Sequence, residues 1–212
     1  MYVKDWMTKN PICLSPEDSI MDAFRTMKEG KFHRVPIVKS GKLVGLITES
    51  DLADYAPSKA TTLSVYEINS LLSKTTCEDV MVKNVKTIDL NALLEEAADV
   101  MNVCDISCLP VMDDDKLVGI ITQKAIFGAF VELMGYYSKG SRIVVDIKED
   151  APGILKQIST ILFEANINIT QLSVYKYNNV QIVIRTSETD SNKVSTLLRS
   201  HGYVVSYAKT FD

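Results

Sequence analysis

Histidine is nearly missing from this 212-residue chain: only His33 and His201 occur, far apart and without other metal-binding side chains beside them. That scarcity argues against the common zinc sites and histidine acid–base pairs, and a solvent-facing or hydrogen-bonded histidine is the simpler reading. The four cysteines, Cys13, Cys77, Cys104 and Cys108, show no disulfide framework. The Cys104-x-x-x-Cys108 spacing has no second ligand pair, so buried apolar thiols in a reduced, cytoplasmic setting are expected. No long basic run is present, and 27 Asp+Glu against 23 Lys+Arg give a net charge of −4. Broad electrostatic binding to nucleic acid or to an anionic membrane is therefore not expected. The most apolar stretch, Ala125 to Tyr137, is broken by Glu132 and falls short of the roughly 20 residues of a membrane span. The first residues lack the apolar centre of a signal peptide. No nucleophile–base pair and no paired acid–base carboxylates stand out, so nothing supports an enzyme.

What the chain does have is a repeat. Residues 7–52 and 81–126 align without a gap at an offset of 74, with 12 identities in 46 positions, including Met7/Met81, Pro36/Pro110, Gly45/Gly119 and Thr48/Thr122. A gapless duplication implies two copies of one folding unit packed by pseudo-two-fold symmetry, with clefts where they meet. In copy one, Ser15-Pro-Glu-Asp18 reads as a helix start, Ile20, Ala23, Phe24 and Met27 form an apolar face, and Gly30 stops the helix. Val35–Val38 and Leu43–Ile47 read as strands around a Ser40-Gly41 turn, with a second helix from Thr48. Copy two repeats this, with a cap at Asp89 or Asn91, strands at Leu109–Met112 and Leu117–Ile121, and a turn at Asp113–Asp115. Each unit is thus β-α-β-β-α. Between them, a loop from Tyr55 to Thr62 leads into a helix from Ser64 to Leu72. The apolar set Ile126, Phe127, Phe130, Val131 and Met134 is a packing face within the chain or between protomers.

A third pattern follows the linker Ser138-Lys-Gly-Ser141. Strands at Arg142–Ile147, Ile167–Tyr175, Val180–Arg185 and Tyr203–Tyr207 alternate with helices after Asp150-Ala-Pro-Gly153 and around Val194–Leu198, and Asn178-Asn179 suits a hairpin turn. The order β-α-β-β-α-β is that of a ferredoxin-like unit. The expected fold is mixed α+β, with units at 1–74, 75–137 and 138–212.

Two local motifs could carry binding. Thr48-x-x-Asp51, at a helix start, sets a hydroxyl and a carboxylate beside unpaired backbone N–H groups, a geometry suited to a ribosyl phosphate. The same tetrapeptide is also a capping box that merely closes a helix. Near Gly153, the strand-to-helix turn offers backbone N–H groups to a carboxylate, or is only a tight turn.

The duplicated part resembles a tandem pair of CBS domains, on Met7-Thr-Lys-Asn-Pro11, Arg34-Val-Pro-Ile-Val38 and Gly45-Leu-Ile-Thr48-x-x-Asp51 with their copy-two counterparts. The C-terminal part resembles an ACT domain, on Asp150-Ala-Pro-Gly-Ile-Leu155 and Asn166-Ile-Asn-Ile169. The order CBS–CBS–ACT, with Thr61 to Leu72 between the first two, is similar to regulatory proteins of the acetoin-utilisation (AcuB) type. The resemblance implies a non-catalytic sensor that requires no cofactor and binds an adenosyl effector (AMP, ADP, ATP or S-adenosylmethionine). It implies Thr48 and Asp51 as holders of phosphate and ribose, and Ile12, Val35 and Pro36 around adenine, with Leu109 and Thr122 their kin in copy two. It further implies an amino acid held by Asp150, Pro152, Gly153, Ile154, Asn166 and Asn168, a homodimer, and a separate regulated protein. Ala125 replaces the carboxylate of Asp51 in copy two. The expectation is one competent nucleotide site, at Asp51, with the other cleft weak, altered in ligand or empty. A constitutive assembly scaffold with a degenerate site is the alternative.

Overall fold

The structure, a computed structural model, describes residues 1–55, 64–176 and 179–212, apart from the side chains of Val65 and Asn69. Most of the loop expected from Tyr55 to Thr62, and Asn178 of the expected hairpin turn, lie outside the described residues. The chain forms two compact units, residues 1–127 and 128–212. No described helix is long and apolar enough to cross a membrane.

Copy one comprises α1 (Val3–Trp6), β1 (Thr8–Lys9), α2 (Ile20–Gly30), β2 (Arg34–Lys39), β3 (Lys42–Thr48) and α3 (Glu49–Tyr55). After α4 (Val65–Lys74), copy two runs through α5 (Cys77–Val80), β4 (Ile88–Asp89), α6 (Leu94–Val103), β5 (Cys108–Asp113), β6 (Lys116–Thr122) and α7 (Gln123–Leu133). The 74-residue offset carries β2 and β3 onto β5 and β6 end for end. Even the hairpin bulge is repeated, between Ile37 and Val38 and between Val111 and Met112. The turns match as well, with Ser40 and Asp114 both at φ 51°.

The copies exchange their leading segments. Thr8 and Lys9 pair with Ile120 and Gly119 on β6 of copy two, and Val82 of copy two bridges to Leu46 on β3 of copy one. Tyr2 bridges to Leu93 as Thr76 does to Ser19. This crossing explains two of the repeated identities. A Cβ on Gly45 would lie 2.3 Å from Met81 Sδ, and one on Gly119 would lie 2.4 Å from Met7 Sδ, so each glycine admits the other copy's methionine.

Helix starts depart from the sequence reading in both copies. Ser15 closes only a turn with Asp18, whose Oδ2 accepts from the Ser15 amide at 2.7 Å. The cap of α2 is Ser19, paired with Asp22 in a second S-x-x-D box. Two such boxes in tandem made the register ambiguous, and the helix takes the second. Gly30 is the last residue of α2; the left-handed turn falls on Lys31 (φ 53°). In copy two, Asp89 forms a turn with the Asn91 amide, and Leu93 caps α6 with its amide donating to Glu96 at 2.7 Å. That position is equivalent to Ser19 (19 + 74), so the fold keeps the register even where the capping hydroxyl is gone. Ser64 caps α4 with Glu67.

The second unit contains β7 (Gly140–Ile147), α8 (Ile154–Glu164), β8 (Ile169–Lys176), β9 (Val180–Thr186), α9 (Ser191–Ser200) and β10 (Val204–Phe211). Its antiparallel sheet has the order β10-β7-β9-β8, and the β-α-β-β-α-β succession is that of the ferredoxin-like unit. Ile143, Val145, Ile182 and Ile184 face Ile158 and Leu162 of α8 and Val194 and Leu198 of α9 in one core. Gly140 and Ser141, expected as linker, open the central strand instead. A Cβ at Gly140 would strike the Thr186 carbonyl oxygen, and the buried Ser141 hydroxyl bonds Thr186 Oγ1 at 2.8 Å. Arg185 is buried over the Phe211 ring, 4.1 Å from its centroid. Of the apolar set on α7 and beyond it, Phe127 and Phe130 are exposed.

Candidate functional site

The exchanged leading segments create the cleft. β1 lies against β6, so the residues after it pass beside the start of α7, which follows β6 directly. A cleft of about 770 Å³ opens there, within the usual range of small-molecule sites. Pro11, Ile12, Ile120 and Phe127 give it apolar surface; Asn10, Thr122 and Gln123 add neutral polar groups; Lys31, His33, Arg34 and Lys124 add basic ones. No described lining residue carries a carboxylate.

Copy one reaches into this cleft from the end of α2 through β2. Arg34 donates from Nη1 and Nη2 to the Ser107 carbonyl and hydroxyl, both at 3.2 Å, tying the two copies together. Its Nε is buried without a hydrogen-bond partner among the described residues. The neighbouring Cys108 thiol is pushed up by burial, and Arg34 opposes that shift. His33 Nδ1 lies 2.8 Å from Glu49 Oε2, an exposed pair on the rim. Lys31 and Lys124 take part in no ion pair among the described residues.

The two threonines at the helix starts differ in their partners. Thr48 donates from its amide and from Oγ1 to Asp51 Oδ2, each at 2.7 Å, and Oγ1 accepts from the Asp51 amide at 3.3 Å. This is a closed capping box. At the other helix Thr122 Oγ1 accepts from the Ala125 amide at 3.2 Å, but its hydroxyl proton goes to no described group. An alanine in place of the carboxylate thus leaves a donor unused beside the cleft.

The structure separates several residues that the sequence grouped. Ile12 is 56% exposed and shares its cleft with Thr122, not with Thr48 and Asp51. The crossing of the leading segments is the reason. Val35 and Leu109 are fully buried and Pro36 is buried, so their side chains pack within their copies. Arg34, Gln123 and Lys124 line the cleft and were not among the expected contacts. Their signal was the basic character of positions 31, 33, 34 and 124, which no single copy displays together. Cys104, expected buried, is exposed, whereas Cys77 and Cys108 are buried; burial pushes the Cys77 thiol up to about 12.

In the second unit the expected amino-acid set also divides. Asp150, Pro152, Gly153 and Ile154 stand at the start of α8, where Gly153 takes φ 99°, and Asp150 pairs with Lys176 at 2.6 Å. Asn166 and Asn168 line a separate hollow of about 330 Å³ beyond the end of α8. A helix of 11 residues holds these groups roughly 16 Å apart at about 1.5 Å per residue.

With this geometry in place, comparison with known proteins is informative. The sequence profile of the CBS domain matches residues 3–58 and 77–132. A Methanocaldococcus jannaschii protein, MJ1225, is 33% identical over 134 residues, covering 60% of this chain and 46% of its own length. This chain therefore spans less than half of that relative. Among solved structures, a Vibrio cholerae protein assigned to acetoin utilization (AcuB) is 32% identical with a TM-score of 0.53, covering 64% of this chain and 93% of the other. CBSX2 in complex with AMP is 28% identical, TM-score 0.51, covering 62% and 97%. The CBS domain pair of protein MJ0100, in complex with 5-methylthioadenosine and S-adenosyl-L-methionine, is 33% identical, TM-score 0.51, covering 61% and 99%. Two profile matches that together span more than half of the residues, on two copies that exchange their leading segments, place this chain in the CBS-domain family.

Proposed function

We propose that this chain is a non-catalytic regulatory sensor whose CBS pair binds an adenosyl ligand in the cleft between β1, β6 and the start of α7. The observation that carries this reading is the cleft itself. Its apolar wall of Pro11, Ile12, Ile120 and Phe127 suits a purine, and its polar end lies at the first turn of α7, where N–H groups and the Thr122 hydroxyl meet an anion. The AMP complex of CBSX2 and the adenosyl complexes of the MJ0100 pair support the ligand class.

The C-terminal unit acts as an ACT-like module. Because α8 separates Gly153 from Asn166, an amino acid held by both ends would require a second copy to bring them together, which is consistent with a homodimer. Exposed Phe130 and Leu133 favour such self-association. Ligand binding then biases the arrangement read by a separate regulated protein, by no more than its difference in affinity for the two arrangements. The AcuB-like neighbour supports a link to acetoin metabolism, and the protein works in the cytoplasm.

The test is thermal stability with AMP, ADP, ATP, S-adenosylmethionine and methylthioadenosine, in the wild type and in Ile12→Glu. Ile12 is exposed, so the variant keeps its fold while placing a carboxylate in the cleft. Stabilisation of the wild type by about 2.7 kcal/mol at 100 times Kd, weakened in the variant, supports the reading. No shift with any adenosyl compound overturns it and favours a constitutive scaffold.

A further inference from the structure

Resting on that adenosyl reading, we infer that the Ala125 cleft selects its ligand by negative charge, taking nucleoside di- and triphosphates in preference to neutral or sulfonium adenosyl compounds.

Four observations converge on this. Lys31, His33, Arg34 and Lys124 line the cleft and no described lining residue is acidic; Glu49, outside the lining, engages His33. Among the described residues, Lys31 and Lys124 are without an ion-pair partner and Arg34 keeps a buried Nε with no hydrogen-bond acceptor. Lys124 sits in the first turn of α7, where a cation opposes the helix dipole; copy one has Ser50 at that position, with Glu49 and Asp51 beside it. Local helix stability therefore does not account for Lys124, whereas an anion between it and the helix N-terminus does. Finally, Ala125 stands where copy one has the carboxylate of Asp51, and leaves the Thr122 hydroxyl with a proton to donate. The substitution changes the sign of the site and does not abolish it. Phosphate oxygens match such a set of donors; a sulfonium meets like charge there.

Isothermal titration with metal-free ATP, ADP, AMP, S-adenosylmethionine, methylthioadenosine and inorganic tripolyphosphate tests it, on the full chain. The expected order is ATP and ADP above AMP, with S-adenosylmethionine at least roughly tenfold weaker than ATP, a difference of about 1.4 kcal/mol. Lys31→Ala combined with Lys124→Ala lowers ATP affinity about tenfold and leaves methylthioadenosine unchanged. Ala125→Asp lowers the ratio of ATP to S-adenosylmethionine affinity. If S-adenosylmethionine or methylthioadenosine binds as tightly as ATP, charge selection is wrong while the adenosyl reading stands. If tripolyphosphate binds and no adenosyl compound does, the adenosyl reading is wrong and an anion site survives. Absence of binding by every probe overturns both.

Discussion

The two helix starts that follow β3 and β6 occupy equivalent positions in one duplicated unit, yet they have opposite chemistry. At α3, Glu49, Ser50 and Asp51 place two carboxylates in the first turn, and Asp51 consumes the donors of Thr48. At α7 the same positions hold Gln123, Lys124 and Ala125, with no acid in the first turn. The 74-residue offset extends the contrast to the walls. Lys31 and Arg34 of the open cleft correspond to Asp105 and Cys108, and Ile12 corresponds to Lys86. Duplication preserved the backbone and the exchanged strands, and divergence put opposite charges on the two pseudo-symmetric surfaces. On the proposed reading, the missing motif residue marks a changed specificity and not a lost site.

The largest effect should come from the contact that the two copies share. Gly119→Ala sets a Cβ against Met7 Sδ and the Thr8 carbonyl oxygen, and overpacking of this kind costs about 1–3 kcal/mol. Urea denaturation measures it, and Met7→Ala in the same chain should recover part of the loss through coupling. Gly45→Ala with Met81→Ala should behave alike; a large asymmetry would break the pseudo-symmetry argument.

Next in size are the capping exchanges. Asp51→Ala opens the box on α3 and should cost about 1 kcal/mol without loss of ATP binding at the Thr122 cleft. Ala125→Asp builds the box on α7 and should stabilise by a similar amount, about 1 kcal/mol. A fall in ATP affinity on Asp51→Ala would show that the two clefts are not independent.

A smaller effect concerns pH. Hydrogen bonds from Ser19, Ser64 and Thr76 lower the pKa values of Asp22, Glu67 and Asp79. A carboxylate whose folded pKa is depressed stabilises the fold above its unfolded pKa, near about 4. That contribution is lost as pH falls through the folded values. Urea midpoints should therefore decline below about pH 4, with a shallower acid slope in Asp22→Asn. A slope unchanged by that substitution would remove Asp22 from the account.

The smallest is chemical. Cys104 should react with a thiol reagent first and Cys13 more slowly, because burial raises the Cys13 thiol pKa; Cys77 and Cys108 should react only on unfolding. Cys13 follows Ile12 of the open cleft, and Cys104 is the equivalent of Gly30. Peptide mapping with and without ATP would then report on each surface separately, and equal protection of both thiols would contradict a single anion site.

Much of the architecture was legible in the chain itself. Helical spacing of Ile20, Ala23 and Met27, the apolar strands about Pro36 and Pro110, and the alternation of Arg142–Ile147 place elements by period alone. Helix starts were less legible, since Ser15 and Ser19 both open an S-x-x-D box and only the folded chain shows that Ser19 caps α2. The site's grouping was less legible: Ile12 and Thr122 line one cleft, whereas the sequence grouped Ile12 with Thr48 and Asp51, and the side chains of Val35 and Leu109 lie in cores.

The sequence by itself determined the duplication, its register, the element types and the loss of a carboxylate at Ala125, because period, offset and side-chain chemistry are local properties of the chain. Only the tertiary structure decided which copy's leading segment meets which helix start. That pairing comes from β1 joining β6, Thr8 against Ile120, and from Val82 joining Leu46, contacts far apart along the chain. No local propensity specifies a partner at such a distance; backbone hydrogen bonding and the room made by Gly45 and Gly119 do.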